Sequence, residues 1–430
     1  MTDLERHTIS KVTRRLVPFL MICYLASYLD KVNLGFAALT MNKDIGLGPR
    51  AFGLSAGLFF VSYCIFEVPS NLALVRFGSR KWLARIMITW GFISATTALA
   101  QNAAQLYAVR MLLGAAEAGF FPGIIFFLTL WFPAVYRARV TGYFMSAIPL
   151  CSLVGAPLSG MLLNLHSFGL KGWQWLFVVE ALPSLLLGII MLAYISDEPA
   201  EAAWLNNEER YWLLNKLDED RKQRETVHSY TLLEAVTNPK IMVLAITYFC
   251  ITSLHQAMAF WLPQLVKEFG LTNSETGFVT AIPYAIGALG MVFWGRKSDH
   301  DNKRKSHIAI ALFIAALGIA GLALLRSPVI RMTSISIAAF GVFGALPVFW
   351  AIPTAFLSGR AAAGGIAFIN SIGTLSGFAA PYVIGAILER TGSLRGGFLA
   401  VTGAAVVSLI MISTLPDEFE HERKRAVSSA

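Results

Sequence analysis

The sequence predicts an all-α membrane protein, with twelve transmembrane helices arranged as two pseudo-symmetric six-helix bundles. Three observations predict it. Of 430 residues, 56% are hydrophobic and only 14% charged, against about a quarter charged in soluble globular chains, and the mean hydropathy is +0.61. Apolar runs of about 20 residues, the length a helix needs to cross a bilayer, recur along the whole chain. A short basic loop near Asn71 has a counterpart near Gly295, about half the chain length further on. Strands cross lipid only as closed barrels, so the runs read as helices. The 35 Gly and 10 Trp fit the glycine content and interfacial aromatics of membrane spans.

The first run covers 16–37. It follows a polar stretch and continues past Leu29, too long for the core of a cleaved signal peptide, so it reads as an uncleaved span. Runs at 54–75, 82–101, 106–131, 139–162 and 174–195 complete the first half. Ser196 to Pro239 is a long hydrophilic connector, and its Trp204 to Glu225 stretch alternates acidic and basic residues as a surface helix does. Beyond it lie runs at 241–263, 276–295, 306–325, 332–356, 363–388 and 396–415. The organisation is therefore an N-terminal six-helix bundle (1–195), a cytoplasmic linker (196–239) and a C-terminal six-helix bundle (240–430).

An even number of spans puts both termini on one side. The loops and tails of that side hold 25 Lys and Arg against 8 opposite, which places both termini in the cytoplasm. The net charge of +9 thus belongs to loops, and no basic face for nucleic acid is implied. Cys23, Cys64, Cys151 and Cys250 all fall in apolar runs, as small hydrophobes do. No metal, nucleotide or hydrolase motif is present on a cytoplasmic element, so the chain reads as no enzyme, with no cofactor and no metal, and transport energy must come from an ion gradient. The lack of glycosylation acceptors favours a bacterial inner membrane, and the expected state is a monomer.

An ionisable residue inside a spanning helix costs about 2.5 to 3.5 kcal/mol, so a cluster of them demands partners or a task. Asp30 and Lys31 lie in span 1, Glu67 in span 2, Arg110 and Glu117 in span 4, and Glu180 in span 6. Arg110 and Glu117 are two turns apart on one face, with the small Gly114 between them. Tyr24, Tyr28 and Lys31 follow the i, i+4, i+7 pattern of one stripe, and Asp30 lies roughly 100° around from Lys31. One reading has Lys31 and Arg110 hold a carboxylate while Asp30 and Glu117 take up protons. The other has the four neutralise one another as buried ion pairs that fix helix register. Glu67 is expected to pair with loop bases, and Glu180 to sit near the mouth of span 6 within reach of solvent. In the second half, His255, Gln256, Trp350, Asn370 and Ser371 are the polar or amphipathic groups best placed to line a cavity.

The two basic loops, Asn71-Leu-Ala-Leu-Val-Arg-Phe-Gly-Ser-Arg-Lys81 and Gly295-Arg-Lys-Ser-Asp-His-Asp-Asn-Lys-Arg-Lys305, resemble the G-x-x-x-D-R-x-G-R-R motif of the major facilitator superfamily. Arg76, Gly78 and Arg80 match in the first copy, and Gly295, Asp299 and Arg304 in the second. The first departs at Asn71 and Val75, which removes the Asp that anchors the loop in the family. Tyr28-Leu-Asp-Lys-Val-Asn-Leu-Gly-Phe-Ala37, Phe66-Glu-Val-Pro-Ser-Asn71, Glu117-Ala-Gly-Phe-Phe-Pro-Gly123 and Gly172-Trp-Gln-Trp-Leu-Phe177 are similar to the anion:cation symporter family, over nearly the whole chain. That resemblance implies proton-coupled uptake of a small organic carboxylate, a tartrate-like, aromatic or sugar acid. It also implies Asp30 and Glu117 as protonation sites, Lys31 and Asn370 as substrate contacts, and the loop residues as gating elements. Lys31 stands where many members carry Arg, and an ammonium lacks the planar fork for bidentate capture. Two rivals stand beside this reading: a proton antiporter exporting drugs or metabolites, to whose span 5 motif Gly155-Ala-Pro-Leu-Ser-Gly160 is similar, and a transporter-like receptor.

Overall fold

In a computed structural model the described residues are 3–145, 147–225, 238–301, 303–356 and 359–415. Among them, twelve helices are long and apolar enough to cross a membrane: spans 1 to 6 at Asp3–Asp44, Pro49–Phe77, Ser79–Leu99, Ala103–Trp131, Ala134–Leu162 and Gly172–Tyr194, and spans 7 to 12 at Pro239–Lys267, Asn273–Ser298, Arg304–Leu324, Pro328–Pro353, Gly365–Thr391 and Leu394–Thr414. Every apolar run of the sequence lies within one of these, apart from a few end residues. Span 1 begins well before residue 16, because helix ends follow backbone capping, while the apolar edge only marks where polar side chains start.

Span 4 is two helical pieces, Ala103–Glu117 and Phe120–Trp131. Gly119 between them has φ +85°, a left-handed conformation that glycine adopts without steric cost. A Cβ there would also lie 2.4 Å from Ser70 Oγ. The break leaves Glu117 as the last residue of the first piece, on the face that meets span 1.

Within the first half, span 2 packs on span 4, span 3 on span 6, and span 1 on spans 5 and 6. Between halves, span 2 meets span 11, span 5 meets span 8, and span 1 meets span 7. An offset of six spans converts the first of these contacts into the second and the third into itself, so the seam has twofold pseudo-symmetry. It is built on glycine: a Cβ on Gly53 would fall 2.4 Å from Pro381 O, on Gly385 2.4 Å from Pro49 O, on Gly160 2.6 Å from Asn273 O and on Gly35 2.6 Å from Ala259 O. Backbones therefore touch directly. All four positions lie toward the ends of their spans opposite the termini, so the halves close against each other on that face. Arg50 reinforces the closure, donating from Nη2 to Tyr382 OH at 2.7 Å.

The charged connector is a helix at Asn207–Glu225, as its composition predicts, and it docks on the first half. Glu209 is buried and accepts from Lys11 Nζ at 2.7 Å and the Asn206 N–H at 2.9 Å, with His7 Nδ1 at 3.0 Å. Burial opposes ionisation of Glu209, but these donors outweigh it and hold its carboxyl below the usual range. Trp204 stacks on Trp131 with ring centroids 5.4 Å apart.

Candidate functional site

Gly114 decides the geometry around the intramembrane charges. A Cβ on it would lie 2.1 Å from Phe59 O and 2.3 Å from Ser62 Oγ, so spans 2 and 4 meet at backbone contact there. Phe59 and Ser55 of span 2 consequently cover Arg110. Its guanidinium lies 4.8 Å from the centre of the Phe59 ring, and its Nε donates to Ser55 O at 3.3 Å. Arg110 is 1% exposed. The expected clamp of Lys31 and Arg110 is thus not assembled in this conformation, because Arg110 is sealed behind span 2.

Lys31 pairs with Glu117. Its Nζ lies 2.8 Å from Oε1, and the Lys31 side chain is 18% exposed against 1% for Glu117. Ser27 Oγ donates to the same Glu117 oxygen at 2.6 Å. The Lys31 ammonium also sits 5.4 Å from the centre of the Tyr63 ring. The pair therefore has a dry acid and a base that reaches open space. Of the four central charges, Lys31 is the most accessible.

Asp30 points elsewhere, as its 100° offset from Lys31 requires. Ser94 Oγ of span 3 donates to Asp30 Oδ1 at 2.7 Å and Ser184 Oγ of span 6 to Oδ2 at 3.4 Å. Asp30 is buried inside the first half and does not face the second. Glu180 corrects its expectation outright: it is 1% exposed and accepts from Ser159 Oγ at 2.7 Å. Hydropathy placed it near a span end, but spans 1 and 5 close over it. Glu67 likewise turns inward, 8% exposed, and the charge acting on it is that of Lys31.

Tyr28 bridges the halves: its hydroxyl and His255 Nε2 are hydrogen-bonded at 2.6 Å. Tyr24 lies on the same stripe against Phe121 and Phe144, with centroids at 5.5 and 4.6 Å. Trp350 packs edge-on against Tyr248 at 4.9 Å, and Tyr248 backs on to Gly373 of span 11. Gln256, Asn370 and Ser371 are half-buried. Tyr248 and Phe59 are members of this aromatic wall that charge-based reasoning does not flag; Tyr248 had a signal in lying two turns from His255 on one face.

At the terminal face, Gly78 has φ +86° and turns the chain into span 3. Asp197 supplies the anchor that Val75 does not, accepting the Arg80 N–H at 2.7 Å with the Arg80 Nε at 3.9 Å. The acid comes from the exit of span 6, beyond the motif. Arg76 is exposed and lies over Phe77. In the second copy Arg304 donates to Ala351 O, and the side chain of Asp299 lies outside the described residues.

Two glycine-sealed helical halves around a paired intramembrane acid and base have the architecture of a secondary transporter. The pattern of the Major Facilitator Superfamily matches residues 20–381, and the chain belongs to that superfamily. A protein of Agrobacterium vitis that carries the name tartrate transporter is 44% identical over 97% of both chains, in keeping with the anion:cation symporter motifs. A quinolone resistance transporter of Acinetobacter baumannii is 38% identical over 99% of both. The solved xylose transporter XylE of E. coli, in a partially occluded inward open conformation, superposes with a TM-score of 0.73 at 13% identity, over 94% of this chain and 98% of that one.

Proposed function

We propose that this transporter is a proton-coupled symporter that imports a small organic carboxylate, a tartrate-like or sugar acid, across a bacterial inner membrane with both termini in the cytoplasm. The observation that carries the reading is the Lys31–Glu117 pair, a buried carboxylate holding a partly exposed ammonium at 2.8 Å. A proton on Glu117 dissolves that pair. Lys31 then offers its charge to the substrate carboxylate, so proton and substrate bind together, while Arg110 keeps the region electropositive and Asp30 takes up a further proton. With the termini inside, the glycine seam closes the outer face, and the pair is the resting form after both cargoes have left for the cytoplasm.

Tyr24, Tyr28, His255, Gln256, Trp350, Asn370 and Ser371 would line the path in this reading, and the loops around Arg80 and Arg304 would gate the inner face. Moving one charge through 100 mV is worth about 2.3 kcal/mol, so a dianion needs more than two protons before an inside-negative potential assists its uptake. In proteoliposomes with an imposed pH gradient, Glu117→Gln is expected to abolish gradient-driven accumulation and to spare substrate counterflow. Intact accumulation would refute the coupling role. The likeness to a quinolone resistance transporter favours a second reading, proton-coupled export. Addition of substrate alkalinises the medium under symport, and a medium that turns acid would establish the rival.

A further inference from the structure

A polar seam between spans 1, 5 and 6 is not used by the Lys31–Glu117 pair. It has two layers. In the first, Asp30 of span 1 meets Ser184 of span 6 at 3.4 Å. In the second, one helical turn nearer the sealed face, Asn33 lies beside Glu180, and Ser159 of span 5 donates to Glu180 Oε1. The two layers are in register, since Asn33 follows Asp30 by three residues and Ser184 follows Glu180 by four, the spacings of a single helix face.

Fully buried polar groups are almost always hydrogen-bonded. In this layer Asn33 is 0% exposed and its side chain is hydrogen-bonded to Glu180, itself 1% exposed. The titratable groups facing Glu180 are Asp30 from span 1 and Cys151 from span 5, and among the described residues no basic side chain lies within ion-pair distance of it. Two buried carboxylates on one dry seam, joined by Ser184, Asn33 and Ser159 and with no cation between them, are arranged to pass a proton.

We propose that Glu180 is a third proton-carrying site, exchanging a proton with Asp30 along the Asn33–Ser184 seam. The proton leaves one carboxyl oxygen and binds a carboxylate oxygen of the other acid, along the face that Asn33 and Ser184 line. This inference rests on the proton-coupled reading and gives that reading its route from the sealed face to Asp30.

The test is infrared difference spectroscopy of the purified full-length protein in lipid during a pH titration, reading the carboxyl C=O bands. Wild type is expected to show a titrating band that disappears in Glu180→Gln, returns in Glu180→Asp, and shifts its titration in Asp30→Asn. A Glu180→Gln spectrum superimposable on wild type would overturn the inference, as would a Glu180 band insensitive to Asp30→Asn. Loss of the band in Glu180→Gln beside intact gradient-driven accumulation in Glu117→Gln would sink the proposed coupling and leave the proton site standing. The converse would sink the proton site alone.

Discussion

Replacing Gly53 by Ala should tilt the carrier toward the state in which the face opposite the termini is open. The added Cβ would sit 2.4 Å from Pro381 O and 3.0 Å from Tyr382 Cα, where ordinary contact begins near 3.4 Å, so spans 2 and 11 must part by about 1 Å. Overpacking of this kind costs about 1 to 3 kcal/mol. That cost falls only on the state in which the two spans meet, whereas the gain in helix propensity on replacing Gly by Ala, about 1 kcal/mol, is common to both states and cancels. The equilibrium should move about 5- to 150-fold. Double electron–electron resonance between spin labels at Lys43 and Arg390, one on each half at the sealed face, reads the change as a longer distance population. Gly403→Ala, where an added Cβ meets nothing within 4 Å, is the control. An unchanged distance distribution in Gly53→Ala would refute the claim that direct backbone contact closes this face.

Tyr28→Phe removes the hydrogen bond to His255 that crosses the halves, worth about 1 kcal/mol; the same spin-label pair should report a shift of about fivefold toward the open face. Asp197→Ala leaves the N-terminus of span 3 without the carboxylate that accepts the Arg80 N–H, a helix-capping loss of about 1 kcal/mol, to be seen as a lower Tm in detergent. Glu209 has a depressed folded-state pKa, so the stability it contributes is complete above the unfolded carboxylate value of about 4.3 and is lost as pH falls through the folded value. Acidification below about pH 4 should therefore undock the linker helix, with a change in the fluorescence of the stacked Trp131 and Trp204; Glu209→Gln should remove that transition.

Twelve spans, their halves and the helical nature of the charged connector were legible because hydropathy and charge alternation act locally and leave their period in the chain, whereas the docking of that helix through Glu209 was not. The partners of the intramembrane charges were only half legible. Seven-residue spacing put Arg110 and Glu117 on one face, and the 100° offset separated Asp30 from Lys31, yet nothing in either helix alone says that Phe59 covers Arg110 or that Ser94 and Ser184 receive Asp30. Those contacts depend on how closely spans 2 and 4 approach, which Gly114 sets from the middle of a helix where many glycines look alike. Glu180 misled for the same reason: distance along a span gives depth, and depth does not say whether neighbours cover a side chain. Asp197 was invisible to motif reading because it lies 117 residues from Arg80 in the chain.

The matched pairing of span 2 with 11 and of span 5 with 8 has a consequence for how the molecule swings. Besides the contact of span 1 with span 7, each half is gripped at two related places, so releasing one grip while keeping the other would twist the half without freeing it. On this geometry the motion should be a rocking that releases both grips together, so that a passing solute should meet one door or the other.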